Sequence, residues 1–198
     1  MNRDLTGVVL AGGRGRRMGA KDKGLLPLAG RPLVQHVIDA LAPQVGEVLV
    51  NANRNLGAYR RFGREVIPDA DDEYRGPLAG ILSGMRYARA DQILVVPCDV
   101  PFLPPGLVAR FWRARARQAS PACVAHDGQR TQPMFCLLHR ELAPDVEQFL
   151  EAGERKAGAW LERHHPVTVD FSDFPNMFLN INRPEDLAAA EQRFRERA

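Results

Sequence analysis

The feature that most constrains this chain is a short, apolar, β-branched run cut off by glycine: Leu5-Thr-Gly-Val-Val-Leu-Ala11 leads at once into Gly12-Gly13. Consecutive rather than alternating apolar residues fit a strand buried on both faces, and such strands belong to parallel sheets covered by helices. The unit then repeats. Pro32 opens a helical pattern with Leu33, Val37, Ile38 and Leu41 on one face and Pro43 just beyond its end. Residues 47–51 read as a second strand, 57–62 as a short helix and 65–67 as a third strand closed by Pro68-Asp69. A helix over 77–90, the most apolar strand at 92–96 and an amphipathic helix over 104–118 follow. Beyond residue 120 the rhythm changes to two apolar runs, 122–125 and 133–138, around Asp127-Gly128, which is the pattern of a hairpin or strand pair beside the main sheet. Helical stretches near 140–151 and 155–163, a strand near 166–170 and a helix from Pro184 to about residue 195 complete the chain. The expected architecture is α/β, a three-layer Rossmann-like fold with a mostly parallel central sheet and helices on both faces, with residues 1–198 forming one domain.

Composition narrows the function classes. At 198 residues, 45% hydrophobic and 26% charged, the chain can bury a real core, which argues against disorder and against two large domains. No apolar run approaches the roughly 18–20 residues of a membrane span, and the start has no charged-then-apolar export signal, so the expected location is the cytoplasm, away from any membrane. Cys98, Cys123 and Cys136 are odd in number and widely spaced, which fits buried filler rather than a disulfide framework or a zinc site. A net charge of +3 does not imply nucleic-acid binding. The lysines are more telling, because two of three, Lys21 and Lys23, fall in one glycine-rich loop.

That loop, residues 12–24, follows the first strand, where ligands of open α/β sheets bind. It fails the dinucleotide fingerprint, since the spacing from Gly13 is G-x-G-x-x-x-G and the second strand ends in Asn51 rather than an acid. It fails the P-loop too, because the chain has no Gly-Lys-Ser or Gly-Lys-Thr. What remains is a backbone open to phosphates, with Arg14, Arg16, Arg17, Lys21 and Lys23 to neutralise them, a charge density suited to a triphosphate. A solvated basic turn is the competing reading of the same residues.

Asp99, in Pro97-Cys98-Asp99, ends the strand at 92–96 and so reaches the same edge of the sheet. One carboxylate there can hold magnesium, which keeps several waters and uses substrate phosphates as its other ligands. Asp69 also follows a strand, and could contact base or ribose, or merely cap the acidic loop 69–73. Gly76-Pro77-Leu78-Ala79-Gly80, with Ser83 and Gly84, gives a helix a small-residue face suited either to a flat base or to close packing on a strand.

Taken together, Leu10-Ala11-Gly12-Gly13, Arg17-Met18-Gly19, Asp22-Lys23, Gly76-Pro77-Leu78-Ala79-Gly80, Pro97-Cys98-Asp99 and Asn180-Ile181-Asn182 resemble the molybdenum cofactor guanylyltransferases of the MobA type, over residues 7–188. The resemblance implies a nucleotidyltransferase fold and transfer of GMP from Mg-GTP to molybdopterin, with pyrophosphate released. It implies that Leu10, Ala11, Gly12, Gly13, Lys23, Asn51, Asp69 and Asp99 contact GTP, and that Asp99 binds Mg2+. It implies that Arg17, Gly80, Asn180 and Asn182 face the pterin, that Gly76 belongs to the binding surface, and that Lys23, Asp99 and Arg17 carry the catalysis. The partners it implies are the two small-molecule substrates and, transiently, cofactor-insertion proteins and molybdoenzyme apoproteins; a monomer is expected. The segment 139–165 matches less well, apart from Gly153-Glu154-Arg155.

A phosphate nucleophile with a second pKa near about 6 is largely dianionic at neutral pH, so this chemistry needs no general base. That agrees with five histidines in no catalytic arrangement: His126-Asp127 reads as a turn, and His164-His165 as surface or packing. Three alternatives stand beside this reading. They are a molybdopterin cytidylyltransferase, another nucleotidyltransferase of the same fold, and a noncatalytic nucleotide or pterin carrier. For the carrier, Arg110, Arg113, Arg115 and Arg117 beside Phe111 and Trp112 would be a docking surface, although the same series suits a solvated helix face over a core.

Overall fold

The structure, a computed structural model of the chain, describes residues 2–12, 22–69, 76–118 and 120–197. Gly13, Arg14, Arg16, Arg17 and Lys21, and the acidic residues at 71–73, lie outside the described residues.

Nine strands and seven helices are described, with short 3-10 turns between them. In chain order they are β1 (Asn2–Leu10), β2 (Pro27–Leu28), β3 (Arg31–Pro32), α1 (Leu33–Leu41), β4 (Val45–Asn51), α2 (Leu56–Arg60), β5 (Glu65–Ile67) and α3 (Pro77–Tyr87). They continue with β6 (Gln92–Pro97), α4 (Leu107–Arg117), β7 (Ala122–His126), β8 (Thr131–His139), α5 (Ala143–Glu151), α6 (Ala157–Glu162), β9 (Val167–Asp170) and α7 (Pro184–Arg197). Seven strands form one sheet in the order β5-β4-β1-β6-β8-β7-β9. β4, β5 and β6 run parallel to β1 or to each other, and β8 alone is antiparallel to its neighbours. The mostly parallel three-layer fold and the hairpin at 122–139 are both borne out.

Alternation within the buried strands builds two cores. On β1, Leu5 and Val9 face one core while Val8 faces the other; on β6, Leu94 and Val96 oppose Ile93 and Val95. The first core is covered by Val34, Val37, Ile38 and Leu41 of α1 and by Leu107, Val108 and Phe111 of α4. The second is covered by α3, α5 and α6, with Trp160 fully buried and its indole N–H donated to Asp145 Oδ2 at 2.7 Å. α3 lies close on β1 because Gly84 has no side chain: a Cβ there would stand 2.8 Å from Val8 Cγ2.

Several boundaries moved for local reasons. α3 stops at Tyr87, short of residue 90, because Ala88 is already extended (φ −60°, ψ 135°). α4 begins at Leu107 rather than Pro104, and its first turn is held by Gln44, whose Oε1 accepts from Val108 N while its Nε2 donates to Pro104 O. The span before residue 31, expected as loop, contains the tiny β2–β3 hairpin. Its turn residues Ala29 and Gly30 both have positive φ (48° and 77°), which matches the twist of a two-residue hairpin. Leu28, at its base, joins Leu33, Phe102, Ile181 and Ala190 in a third, small core that seats α7 against the N-terminal part of the chain.

Arg110, one of the four arginines of the docking reading, is paired within the chain. Its guanidinium forks onto Asp173, with Nη2 2.7 Å from Oδ2, and lies over the rings of Phe171 and Phe174 at 5.0 and 5.2 Å. Among the described residues no helix is long and apolar enough to cross a membrane, and the three cysteines are free and buried, as expected.

Gly84→Val is expected to lower stability by about 1–3 kcal/mol through overpacking between α3 and β1. Chemical denaturation checks this, and an unchanged midpoint would mean that the helix does not sit on the strand as described.

Candidate active site

β1 and β6 are neighbours, yet the chain leaves β1 toward β4 and leaves β6 toward β8. Connections that diverge from adjacent parallel strands open a crevice at their carboxyl ends. The strand tips are level there: Cys98 N donates to Leu10 O at 3.0 Å, Ala11 N to Asn51 O at 2.8 Å and Ala52 N to Ile67 O at 3.0 Å. Two polar clusters stand on this edge.

The first joins three distant parts of the chain. Lys23 Nζ lies 3.4 Å from Asp99 Oδ2 and donates to Asn182 Oδ1. The Lys23 and Asp99 side chains are 23% and 15% exposed, so the pair is sheltered but open to a ligand. Asp99 is set by its place one residue beyond Cys98, and its carbonyl accepts from Ile181 N at 3.0 Å. Asn182 is set by the start of α7, where Asp186 Oδ2 accepts from the backbone N–H groups of Asn182 and Arg183 at 2.9 and 2.8 Å and Pro184 occupies the first helical position. Burial is the largest influence on the Asp99 carboxyl and pushes it above the ordinary carboxylate value, while Lys23 and a backbone hydrogen bond pull it back.

The second cluster surrounds Asp69. Asn51 Nδ2 donates to Asp69 Oδ1 at 2.8 Å and Asn53 Nδ2 to Asp69 Oδ2 at 2.7 Å, while Asp69 N returns a bond to Asn53 Oδ1 at 2.8 Å. Two glycines make room for it. A Cβ on Gly80 would fall within 2.2 Å of Asn51 Oδ1 and 3.0 Å of Leu10 Cδ2, and one on Gly12 within 3.1 Å of Asn53 Nδ2. The small-residue face of α3 therefore serves close packing on this edge, and Gly80 is buried beneath Asn51.

Of the residues expected at a site, Leu10, Ala11, Gly12, Lys23, Asn51, Asp69, Gly80, Asp99 and Asn182 stand on this edge of the sheet or against it. Asn180 is exposed beside the buried Ile181, and Gly76 caps α3 with a positive φ of 80°, its nearest neighbour in that direction being Arg155 O. Gly13 and Arg17 are not among the described residues. Asn53, Asn55 and Tyr59 were not singled out from sequence, and Asp22 entered only within the Asp22-Lys23 motif, with no role of its own. The run Asn51-Ala-Asn53-Arg-Asn55 just past a strand was the available signal, because asparagines favour such turn positions and carry both donors and acceptors.

An ammonium facing a carboxylate and an amide oxygen at a switch-point crevice can meet the charge of an anionic ligand. Residues 7–167 match the MobA-like NTP transferase domain, and the chain belongs to that family of nucleotidyltransferases. A molybdenum cofactor guanylyltransferase of Shewanella halifaxensis is 47% identical over 185 residues, covering 93% of this chain and 92% of that protein. One from Shewanella piezotolerans is 48% identical over 181 residues, 91% and 89% of the two chains. The crystal structure of molybdopterin-guanine dinucleotide biosynthesis protein A from Archaeoglobus fulgidus, 24% identical, shares the fold with a TM-score of 0.82 over 96% of this chain and 99% of that one.

The raised carboxyl of Asp99 predicts a pH signature in the protein free of metal and nucleotide. Below the ordinary carboxylate range Asp99 is protonated both folded and unfolded; as pH rises, the unfolded chain releases its proton first and the folded state loses stability. Asp99→Asn is therefore expected to be at least as stable as the parent at pH 7, with the difference vanishing in acid. Denaturation curves at both pH values test it, and a variant less stable at pH 7 but matched in acid would reverse the sign.

Proposed function

We propose that the chain transfers GMP from Mg-GTP to the terminal phosphate of molybdopterin, forming the guanine dinucleotide form of the cofactor and pyrophosphate. The observation that carries this reading is the meeting of Lys23, Asp99 and Asn182 at the switch-point edge in a chain of this family. In the reaction an oxygen of the acceptor phosphate bonds to the α-phosphorus of GTP, the bond from that phosphorus to the bridging oxygen breaks, and its electron pair leaves with pyrophosphate. The acceptor oxygen is already anionic, so no side chain has to remove a proton.

The burden is electrostatic, because two anions must meet and charge grows on the leaving group. Lys23 supplies a fixed positive charge there, and Arg17, from the loop after β1, adds a second. The donor set fits magnesium. Asp99 and Asn182 present hard oxygens toward one cationic point, and a single partly open carboxylate suits an ion that arrives with the triphosphate and keeps water ligands. Bound through Asp99, Mg2+ would neutralise the polyphosphate. Asn51 and Asp69, with Leu10, Ala11 and Gly12 at the tip of β1 and Gly13 next to them in the sequence, are assigned to the nucleotide. Asn180 and Asn182 are assigned to the pterin side, and Gly80 contributes through the space it leaves Asn51.

Three of the histidines are engaged by other groups. His164 Nε2 is paired with Asp145 at 2.8 Å, His126 Nδ1 accepts from Gly128 N in the β7–β8 turn, and His36 Nε2 lies 2.9 Å from Leu28 O. Burial pushes the Cys98 thiol well up, which removes it as a nucleophile.

The direct test is mass spectrometry of the product made from GTP and metal-charged molybdopterin, with CTP in parallel. A GMP adduct with GTP is expected; a CMP adduct alone would move the protein to the cytidylyltransferases, and tight binding without turnover to a carrier. Lys23→Ala should lower turnover by about 10²–10³-fold, the usual loss when one stabilising donor at a developing anion is removed. Asp99→Ala should stay folded and lose its response to added Mg2+; superimposable magnesium titrations for variant and parent would end the assignment of the ion to Asp99.

A further inference from the structure

Lys23 is flanked by two residues that share one anchor. Tyr59 of α2, fully buried, donates its phenolic hydroxyl to Asp22 Oδ1 at 2.5 Å. The same hydroxyl oxygen lies 2.5 Å from where a Cβ would stand on Gly24, so only glycine fits there. Cys98 Sγ also comes within 3.3 Å of that point. The Asp22 side chain, 4% exposed, is gripped at its second oxygen too, by Asn55 Nδ2 at 3.0 Å with Arg54 Nε 3.9 Å away. The turn carrying Lys23 thus closes, at Gly24, on both the Tyr59 hydroxyl and the thiol of Cys98, the residue before Asp99, although Tyr59 itself is sealed from any ligand.

We propose that Tyr59 is a positioning residue for phosphoryl transfer: its hydroxyl fixes the Asp22-Lys23-Gly24 backbone against Cys98, so that the Lys23 ammonium starts from a point within reach of both Asp99 and Asn182. The inference rests on the assignment of Lys23 to the transfer. A lysine ammonium sits at the end of four rotatable bonds, and the backbone beneath it must be held still if the charge is to be in place before the reaction. A displacement of about 1 Å at such a group can lower the rate about 10²-fold. Burial drives the phenol far above its ordinary pKa, so it remains a donor throughout the working range.

The test is Tyr59→Phe, which keeps the ring and removes only the hydroxyl, assayed with GTP and molybdopterin at a temperature where circular dichroism shows both proteins folded. The expected result is a fall in kcat of about 10–100-fold with KM for GTP within about threefold. On a Lys23→Ala background the same change should cost less than about twofold more, because the group it positions is gone. Should Tyr59→Phe not fold, Asn55→Gly carries the test. Asn55 has φ 53°, a conformation glycine accepts, and the change removes the other grip on Asp22. It should lower kcat in the same way. Unchanged kcat in the folded variant, or a loss that multiplies undiminished with Lys23→Ala, would overturn the inference alone. Full turnover in Lys23→Ala would instead overturn the assignment of Lys23, and this inference with it.

Discussion

The candidate site depends on one ammonium held between two oxygens. Lys23 comes from just after the loop that follows β1, Asp99 from the tip of β6 and Asn182 from the approach to α7. These are the beginning, middle and end of the chain, and nothing local would bring them together. The sheet order does it first, by setting β1 beside β6 with their tips level. The small core of Leu28, Leu33, Phe102 and Ile181 does it next, by fastening the C-terminal segment onto the N-terminal one. A charge contact of this kind adds little stability once its desolvation is counted, and Asp99, pushed up by burial, is a net strain on the fold. Such an arrangement is understood as preparation for a highly charged ligand.

Around that contact, small residues and fixed amides replace the usual catalytic apparatus. Gly12 and Gly80 leave room for Asn51 and Asn53, which in turn pin both oxygens of Asp69. A carboxylate so bound is an oriented acceptor. Gly24 leaves room for Tyr59 in the same manner. The chemistry we assign asks for the meeting of two phosphates, and an edge built from positioned charges and dipoles meets that demand without a titrating base.

Much of this was legible from the residues. Strands β1 and β6 announce themselves as unbroken apolar runs because both of their faces are buried, and a strand tip followed by Gly-Gly or by Pro-Cys-Asp marks where ligands gather. Lys23, Asn51 and Asp99 could be singled out on that ground, together with the family resemblance. The β2–β3 hairpin escaped because its turn is Ala-Gly, not one of the usual Asn-Gly or Asp-Gly pairs, and its strands are two residues long. Tyr59 and its link to Asp22 escaped because the two are 37 positions apart and a buried tyrosine in a short helix looks like core until its hydroxyl is traced. Of the arginines on α4, Arg113 and Arg117 are exposed, whereas the pairing of Arg110 with Asp173 is a long-range contact that no local pattern announces.

The central claim is that the Lys23–Asp99 pair is the seat of the nucleotide's polyphosphate. A crystal structure with GTP and Mg2+ tests it most directly. The account requires phosphate oxygens within hydrogen-bonding distance of Lys23 Nζ and the ion bound, directly or through water, by Asp99. Triphosphate bound elsewhere, with the Lys23–Asp99–Asn182 contact left intact and bare of ligand, would contradict it.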